Sequence, residues 1–390
     1  MGLFGDKPGE KKGDMVYAWT TDAEIAKHAE CGGAVTALLK YALESRMVDA
    51  VLAIKKGQDV YDAVPTLITD PKDLKNTAGS LHCGTLLLSK YIPKYLGGAK
   101  NMKIAMTVKG CDVMGILEIA RRNGINLDNL YMIGVNCGGT VSPVKARKMI
   151  QEAFQVDPNL VHKEEIDKGQ FIIEYEGGHK GISIDELEEK GYGRRTNCRR
   201  CKYKVPRQAD LACGNWGVIG DKAGKATFVE VCSEKGANLL SRAMKGGAIA
   251  TEKPDPKGIE MRGKVEGAML KLGEKWRKKD FAGLKKDPWG TIAKETGRCI
   301  KCYSCIENCP VCFTVEDDLK KSFMIDPGAV PPNPMFHLRR FAHISDTCVN
   351  CGQCEELCPM DIPLALFSHA IRVEGDMAFA PKLGKQTYTN

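Results

Sequence analysis

Two stretches of this 390-residue chain, GRCIKCYSCIENCP at 297–310 and DTCVNCGQCEELCP at 346–359, each hold four cysteines and a proline. Cys299, Cys302 and Cys305 are spaced C-x2-C-x2-C, and Cys309 and Pro310 follow after three more residues. Cys348, Cys351, Cys354, Cys358 and Pro359 repeat the pattern. At this spacing thiolates hold two [4Fe–4S] cubes: a tight turn grips three corners of one cube, and the proline-flanked fourth cysteine reaches the other. The expected ligand sets are therefore Cys299, Cys302, Cys305 and Cys358 for one cluster, and Cys348, Cys351, Cys354 and Cys309 for the other. Zinc sites bring cysteines in pairs or add histidine. Disulfides need an oxidising compartment. Neither suits triple runs with a displaced fourth thiol.

More thiols fall where ligands gather in α/β proteins. Cys111 ends TVKGC, Cys137 lies in GVNCGG, and NCRRC carries Cys198 and Cys201. The first two follow expected strands, and the carboxyl ends of strands border the ligand crevice of such sheets. Four thiols meeting there would make a third [4Fe–4S] site and leave Cys31, Cys83, Cys213, Cys232 and Cys312 free. Two alternatives stay open: Cys111 and Cys137 as small buried residues, and a zinc site of Cys198, Cys201, Cys213 and Cys232. CGGAVT (31–36) and NTAGS (76–80) are small-residue turns before helices. Helix N-termini offer N–H groups to phosphate or flavin oxygens. Neither turn matches G-x-G-x-x-G, no Walker A motif is present, and a plain turn is the alternative for each.

The elements that would position these residues alternate. Strands are expected at 48–54, 65–70, 103–108 and 130–135, and helices at 31–46, 78–92, 111–123 and 142–154, with Pro143 in the first turn of the last. This predicts an α/β core with a mixed, partly parallel sheet. A hairpin around 176–179, a Cys- and Arg-rich loop at 191–217, a strand at 226–231 and a helix at 233–245 complete it. The expected organisation is a tail (1–14), the α/β domain (15–250), a charged connector (251–295) with a helix near 262–279, a C-terminal two-cluster ferredoxin-like module (296–372) with an insertion at 322–336, and a second tail (373–390).

The net charge of +8 is scattered rather than blocked, so nucleic acid is not the expected partner. A basic surface suits anionic cofactors or an acidic partner. The opening MGLFGDKPGEKKGDM has no apolar stretch of the signal-peptide kind, the hydrophobic runs are too short to span a bilayer, and many cysteines without such a signal point to a reducing, cytoplasmic setting. Of the seven histidines, His82, His179, His337 and His343 are expected in turns or on the surface.

Jointly, CGGAVTALLKYALE, AGSLHCGT, VKGCDVMGI, GVNCGG and NCRRCKYKVPRQADLACGNWG resemble the coenzyme F420 hydrogenase/dehydrogenase beta-subunit family over roughly residues 15–250. The resemblance implies FAD, a [4Fe–4S] cluster at Cys111, Cys137, Cys198 and Cys201, and hydride exchange with the deazaflavin coenzyme F420. It also implies that Gly32, Gly33, Ala34, Val35 and Thr36 cradle FAD, helped by Gly79, Ser80, Thr107 and Lys109, with Asp210 as a further flavin contact or a loop cap. Two departures stand out: Gly110 where the family often has proline, and SLHC in place of the commoner SKY, which makes Cys83 a competing ligand. A C-terminal ferredoxin module resembles the branch serving formate dehydrogenases of methanogenic archaea. That implies a molybdopterin-type alpha subunit as partner, with a hydrogenase or heterodisulfide reductase as the alternative electron source and a flavin-free wiring subunit as another reading. A flavin exchanges hydride with the coenzyme and single electrons with clusters. The acidic, phosphorylated coenzyme needs cations nearby, and Arg194, Arg195 and Lys202 flank the CxxC loop as candidates.

Overall fold

The computed structural model describes residues 9–84, 86–167, 169–312 and 330–379. Part of the expected insertion at 322–336 lies outside the described residues.

Eleven strands are described: β1 (Met15–Thr20), β2 (Ala50–Lys56), β3 (Ala63–Ile68), β4 (Ile104–Val108), β5 (Leu130–Val135), β6 (Val161–Asp167), β7 (Gln170–Tyr175), β8 (Gly178–Ser183), β9 (Leu211–Gly214), β10 (Thr227–Val231) and β11 (Ile249–Glu252). Eight form one sheet in the order β11-β1-β10-β9-β5-β4-β2-β3. Its centre, β9-β5-β4-β2, is parallel, and the flanking pairs are antiparallel. The mixed, partly parallel sheet expected from the alternation is present. β6-β7-β8 make a separate antiparallel sheet.

Central strands such as AVLAI are buried on both faces because helices cover both. Helices α1 (Ala34–Glu44) and α3 (Glu234–Lys245) bury Leu38, Leu39, Leu239 and Leu240 on one face. Helix α2 (Gly110–Arg121) buries Val113, Ile116 and Ile119 on the other.

The expected helix at 78–92 is not formed: only Tyr91–Tyr95 is helical. Its apolar run reads as a helix face, but the backbone N–H groups go to distant carboxylates instead. Those of His82 and Cys83 bond Glu164 at 2.5 and 2.8 Å, and that of Leu88 bonds Asp112 at 2.6 Å. Gly79, at φ +96°, turns the chain where a helix would begin.

The charged connector is mostly one 27-residue helix, α4 (Pro256–Ala282), followed by a short helix at Pro288–Thr296. Helix α4 is a strut rather than a loose linker. Near its start the buried Arg262 pairs with Glu230 and donates to Asn136 Oδ1 at 3.2 Å. At its end Asp280 pairs with the buried Arg200 at 2.7 Å. Beyond it, helices α5 (Met335–Ile344) and α6 (Leu364–Phe379) pack Phe336, Phe341 and Phe367 around the cysteine turns. Leu87 and Met114 of the α/β part join that same core, so the cysteine-rich module is packed onto the sheet domain.

His369 of α6 packs edge-on against Phe281 of α4 at 5.4 Å. Burial, helped by Arg200 and Arg277, holds its imidazole down at about 3. The unfolded chain takes up this proton near pH 6.5, so stability is fully present above that pH and falls as pH drops toward 3, by about 1.4 kcal/mol per pH unit. Denaturant unfolding at pH 7.5 and 5.5 should show this slope in the native chain and lose about that much of it in His369→Leu. An unchanged slope in the variant would mean another group titrates.

Candidate metal centres and the adjoining crevice

In both cysteine runs the turn is built by the same pair of left-handed residues: Lys301 and Tyr303 in the first, Asn350 and Gly352 in the second, at φ 55°, 63°, 53° and 74°. These bends turn three successive thiols inward. A short helix then carries the chain to the fourth cysteine, Ser304–Glu307 in one run and Gln353–Glu356 in the other. That fourth cysteine crosses over. Cys309 lines a small cavity with Cys348, Cys351 and Cys354. Cys358 lines another with Cys299, Cys302 and Cys305. The structure thus brings together the two sets named from spacing.

The donor sets fit iron–sulfur cubes. Burial pushes the thiols of Cys305 and Cys348 up to about 12, so they shed their protons only to a strong Lewis acid. Among the described residues, no three His, Cys, Asp or Glu converge closely enough for a single metal ion. Thiols spread around a cavity suit a polynuclear group instead. Cys302 is exposed, whereas Cys309, Cys351 and Cys354 are buried. The Cys302 thiol is thus the most accessible of the eight.

Cys111, in the first turn of α2, and Cys137, just beyond β5, lie at the carboxyl end of the parallel strands with Cys198 and Cys201. Burial raises the Cys111 and Cys137 thiols and takes Cys201 to about 11, and neighbouring thiols of this same set add to each shift. Cations surround the set. Lys204, 1% exposed, donates to the carbonyls of Gly138 and Cys198 at 3.3 and 3.2 Å, and Lys109 donates to Leu86 O at 2.8 Å. Cys83, the competing ligand, packs instead with Tyr61 and Val141. Cys213 of the alternative zinc set sits in the sheet core.

Gly110 explains one departure from the family pattern. A Cβ there would stand 2.3 Å from the carbonyl oxygen of Tyr203, and Tyr203 N–H reaches Cys201 Sγ at 3.3 Å. If Cys111, Cys137, Cys198 and Cys201 hold a cube, Gly110→Ala should push this loop outward and cost about four iron atoms, one cube, leaving the rest. Iron assay of the purified chain reads this directly, and full iron content in the variant would exclude this coupling.

The residues nominated for FAD and the coenzyme are less gathered. Gly32 and Gly33 have φ +71° and +68°, and a Cβ would stand 2.7 Å from Ala226 Cα or 2.9 Å from Ile25. The fold itself requires both glycines, whatever they bind. Ala34 and Thr36 are buried, and Val35 packs against the core. Gly79 and Ser80 are exposed on the neighbouring loop, and Thr107 and Lys109 lie half-buried near the end of β4. Asp210 braces the fold: its carboxylate accepts from Met132 N at 2.8 Å and Ser233 Oγ at 2.5 Å.

The two arginines have other partners. Arg194 forks onto Glu188, with Nη2 to Oε2 at 2.9 Å. Arg195, 7% exposed, pairs with Glu356 at 3.0 Å and donates to Cys351 O at 3.4 Å. Both guanidiniums thus have partners inside the protein, although Arg195 Nη2 is buried without one. Lys202 stays exposed, over the Tyr203 ring at 5.4 Å. His337, expected in a turn or on the surface, lies in helix α5 and is 3% exposed. No periodicity around Arg340 or His337 marks them as neighbours of the cysteine cavities.

Residues 15–92 and 101–257 match the family described as coenzyme F420 hydrogenase/dehydrogenase, beta subunit, by its N-terminal and C-terminal parts, and residues 298–362 match the 4Fe-4S dicluster domain. The chain is 52% identical to the F420-dependent formate dehydrogenase subunit beta of Methanocaldococcus jannaschii, across 92% of this chain and 93% of that one. It is equally similar, at 52%, to the F420-dependent formate dehydrogenase 1 subunit beta of Methanococcus maripaludis, over 92% of each. A chain of the F420-reducing [NiFe] hydrogenase complex from Methanosarcina barkeri superposes with a TM-score of 0.59 at 21% identity, covering 72% of this chain and 96% of that one. At that identity the match speaks to the fold.

Proposed function

Because the chain belongs to the coenzyme F420 hydrogenase/dehydrogenase beta-subunit family, an oxidoreductase family, we propose that it exchanges hydride with coenzyme F420 at FAD and relays electrons through three [4Fe–4S] clusters to or from the alpha subunit of a formate dehydrogenase. In this reading residues 15–250 form the coenzyme domain and 296–372 the cluster module. The observation that carries it is the succession of three thiol sets from the exposed Cys302 inward to the strand ends.

The chain's own part is to hold and insulate. Cys299, Cys302, Cys305 and Cys358 would hold the outer cube, Cys309, Cys348, Cys351 and Cys354 the middle one, and Cys111, Cys137, Cys198 and Cys201 the inner one. Arg195 stands between the last two sets, bonded to Cys351 O and neighbouring the Cys198 thiol. For FAD, the fit rests on a polar atom at the strand end that is buried without a partner, Asn136 Nδ2 beyond β5. The explanation of Gly32 and Gly33 by packing favours keeping a second reading, a wiring subunit without flavin. No described helix is long and apolar enough to cross a membrane.

The anaerobically purified chain should carry about twelve iron atoms, three cubes of four, and one flavin by absorbance. Iron near eight would remove the inner cluster. Full iron without flavin would select the wiring subunit.

A further inference from the structure

Helix α5 joins the two cysteine runs and turns one face toward both cavities. Arg340 lines the cavity of Cys309, Cys348, Cys351 and Cys354 and is 0% exposed. Its Nη2 donates to the carbonyl of Cys305, a residue of the other set, at 3.5 Å, while Nε and Nη1 have no partner. Among the described residues no carboxylate pairs with it. One turn earlier His337 lines the cavity of Cys299, Cys302, Cys305 and Cys358, and both its ring nitrogens lack partners.

A guanidinium is not kept fully out of water unless an anion faces it. Arg262, also buried, has Glu230, and Arg200 has Asp280. Arg340 has thiols around it. Four thiolates make a cube anionic, and one-electron reduction adds a further negative charge. A fixed cation nearby stabilises the reduced form more than the oxidised one, and charge and hydrogen bonds to sulfur are known levers on cluster potential.

We propose that Arg340 is the shared counter-charge of the two cavities, holding up the reduction potential of both cluster sites, and that His337 adds an N–H donor on the Cys299/Cys302/Cys305/Cys358 side alone. The inference rests on the reading that these cavities hold [4Fe–4S] clusters.

The test is an EPR-monitored redox titration of the full-length holoprotein, after iron assay. In Arg340→Gln the reduced-to-oxidised ratio of the two ferredoxin-type signals at a fixed poise should fall about tenfold or more, equal to 59 mV for a one-electron couple. The signal of the Cys111/Cys137/Cys198/Cys201 site should stay put. Arg340→Lys keeps the charge and should keep both ratios, and His337→Leu should lower one signal only. Wild-type iron with unmoved ratios in Arg340→Gln would overturn the proposal. If that variant does not hold its iron, protein labelled with 15N at the guanidino nitrogens decides. A nitrogen coupling to a reduced cluster should be present in the wild type and lost in Arg340→Lys, and its absence from the wild type would overturn the proposal. A wild-type chain without the two ferredoxin-type signals would instead sink the cluster reading itself.

Discussion

A chain carrying both Cys302→Ser and Cys351→Ser should still let reduced coenzyme F420 reduce an artificial dye, yet lose coenzyme reduction driven by the partner enzyme. Each substitution takes one thiolate from a different cavity and leaves the sheet core untouched, since that core is built from α1, α3 and the central strands. Losing a ligand should cost at least the roughly 100-fold at the upper end of what loss of outer-shell support costs a metal site. Coenzyme-to-dye activity should stay near the native rate, because the strand-end crevice lies in the other part of the molecule. Stopped-flow traces of flavin and cluster absorbance separate the two events. If the variant kept its FAD but lost coenzyme-to-dye turnover, the coenzyme would not be reacting at the flavin, and the order of carriers would fall.

Replacing Gly33 with valine is a poor complement to that test. The position needs φ +68°, and a Cβ there already meets Ile25 and Thr20 at 2.9 and 3.0 Å. The variant would strain the entrance to α1 before any ligand was involved, and lost activity would say nothing about flavin.

Legibility followed the range of the interactions involved. The cysteine runs read directly because their spacing and turns are local, and the displaced fourth thiol is part of the same local pattern. Cys111 and Cys137 read through a topological rule, once strands and helices were seen to alternate. β9 and β11 have four residues each, too few to show a period. The 78–90 segment misled because its leucines are spaced for a helix, while its N–H groups are held by Glu164 and Asp112 from elsewhere in the chain. Arg194, Arg195 and Arg340 show the general limit. Sequence displays a charge, but whether it faces water, a carboxylate or a thiol-lined cavity is settled only by long-range packing.

Arg195 turns that limit into a measurement. It lies at a joint where the CxxC loop meets the second cysteine run. Beside its pair with Glu356, Asn197 and Asn350 exchange side-chain-to-backbone hydrogen bonds at 3.1 and 3.0 Å, and Thr196 bonds Glu355. Gly352 has no room for a side chain, since a Cβ would stand 2.3 Å from Asn197. Arg195→Met fills similar space but leaves Glu356 without its cation and Cys351 O without a donor. Breaking a buried pair from one side costs about 3–5 kcal/mol, and Glu356 keeps some solvent contact, so denaturant unfolding of the holoprotein should show a loss toward the low end of that scale. Adding Glu356→Gln to Arg195→Met should recover part of it, because the orphaned charge goes too; a coupling of that kind is what a double-mutant cycle isolates. Were Arg195 instead a ligand for the coenzyme phosphate, the single variant would raise the Michaelis constant for the coenzyme with stability intact, and the second substitution would rescue nothing. The geometry requires the opposite pattern: an unchanged Michaelis constant in the folded fraction, and a stability defect that Glu356→Gln relieves.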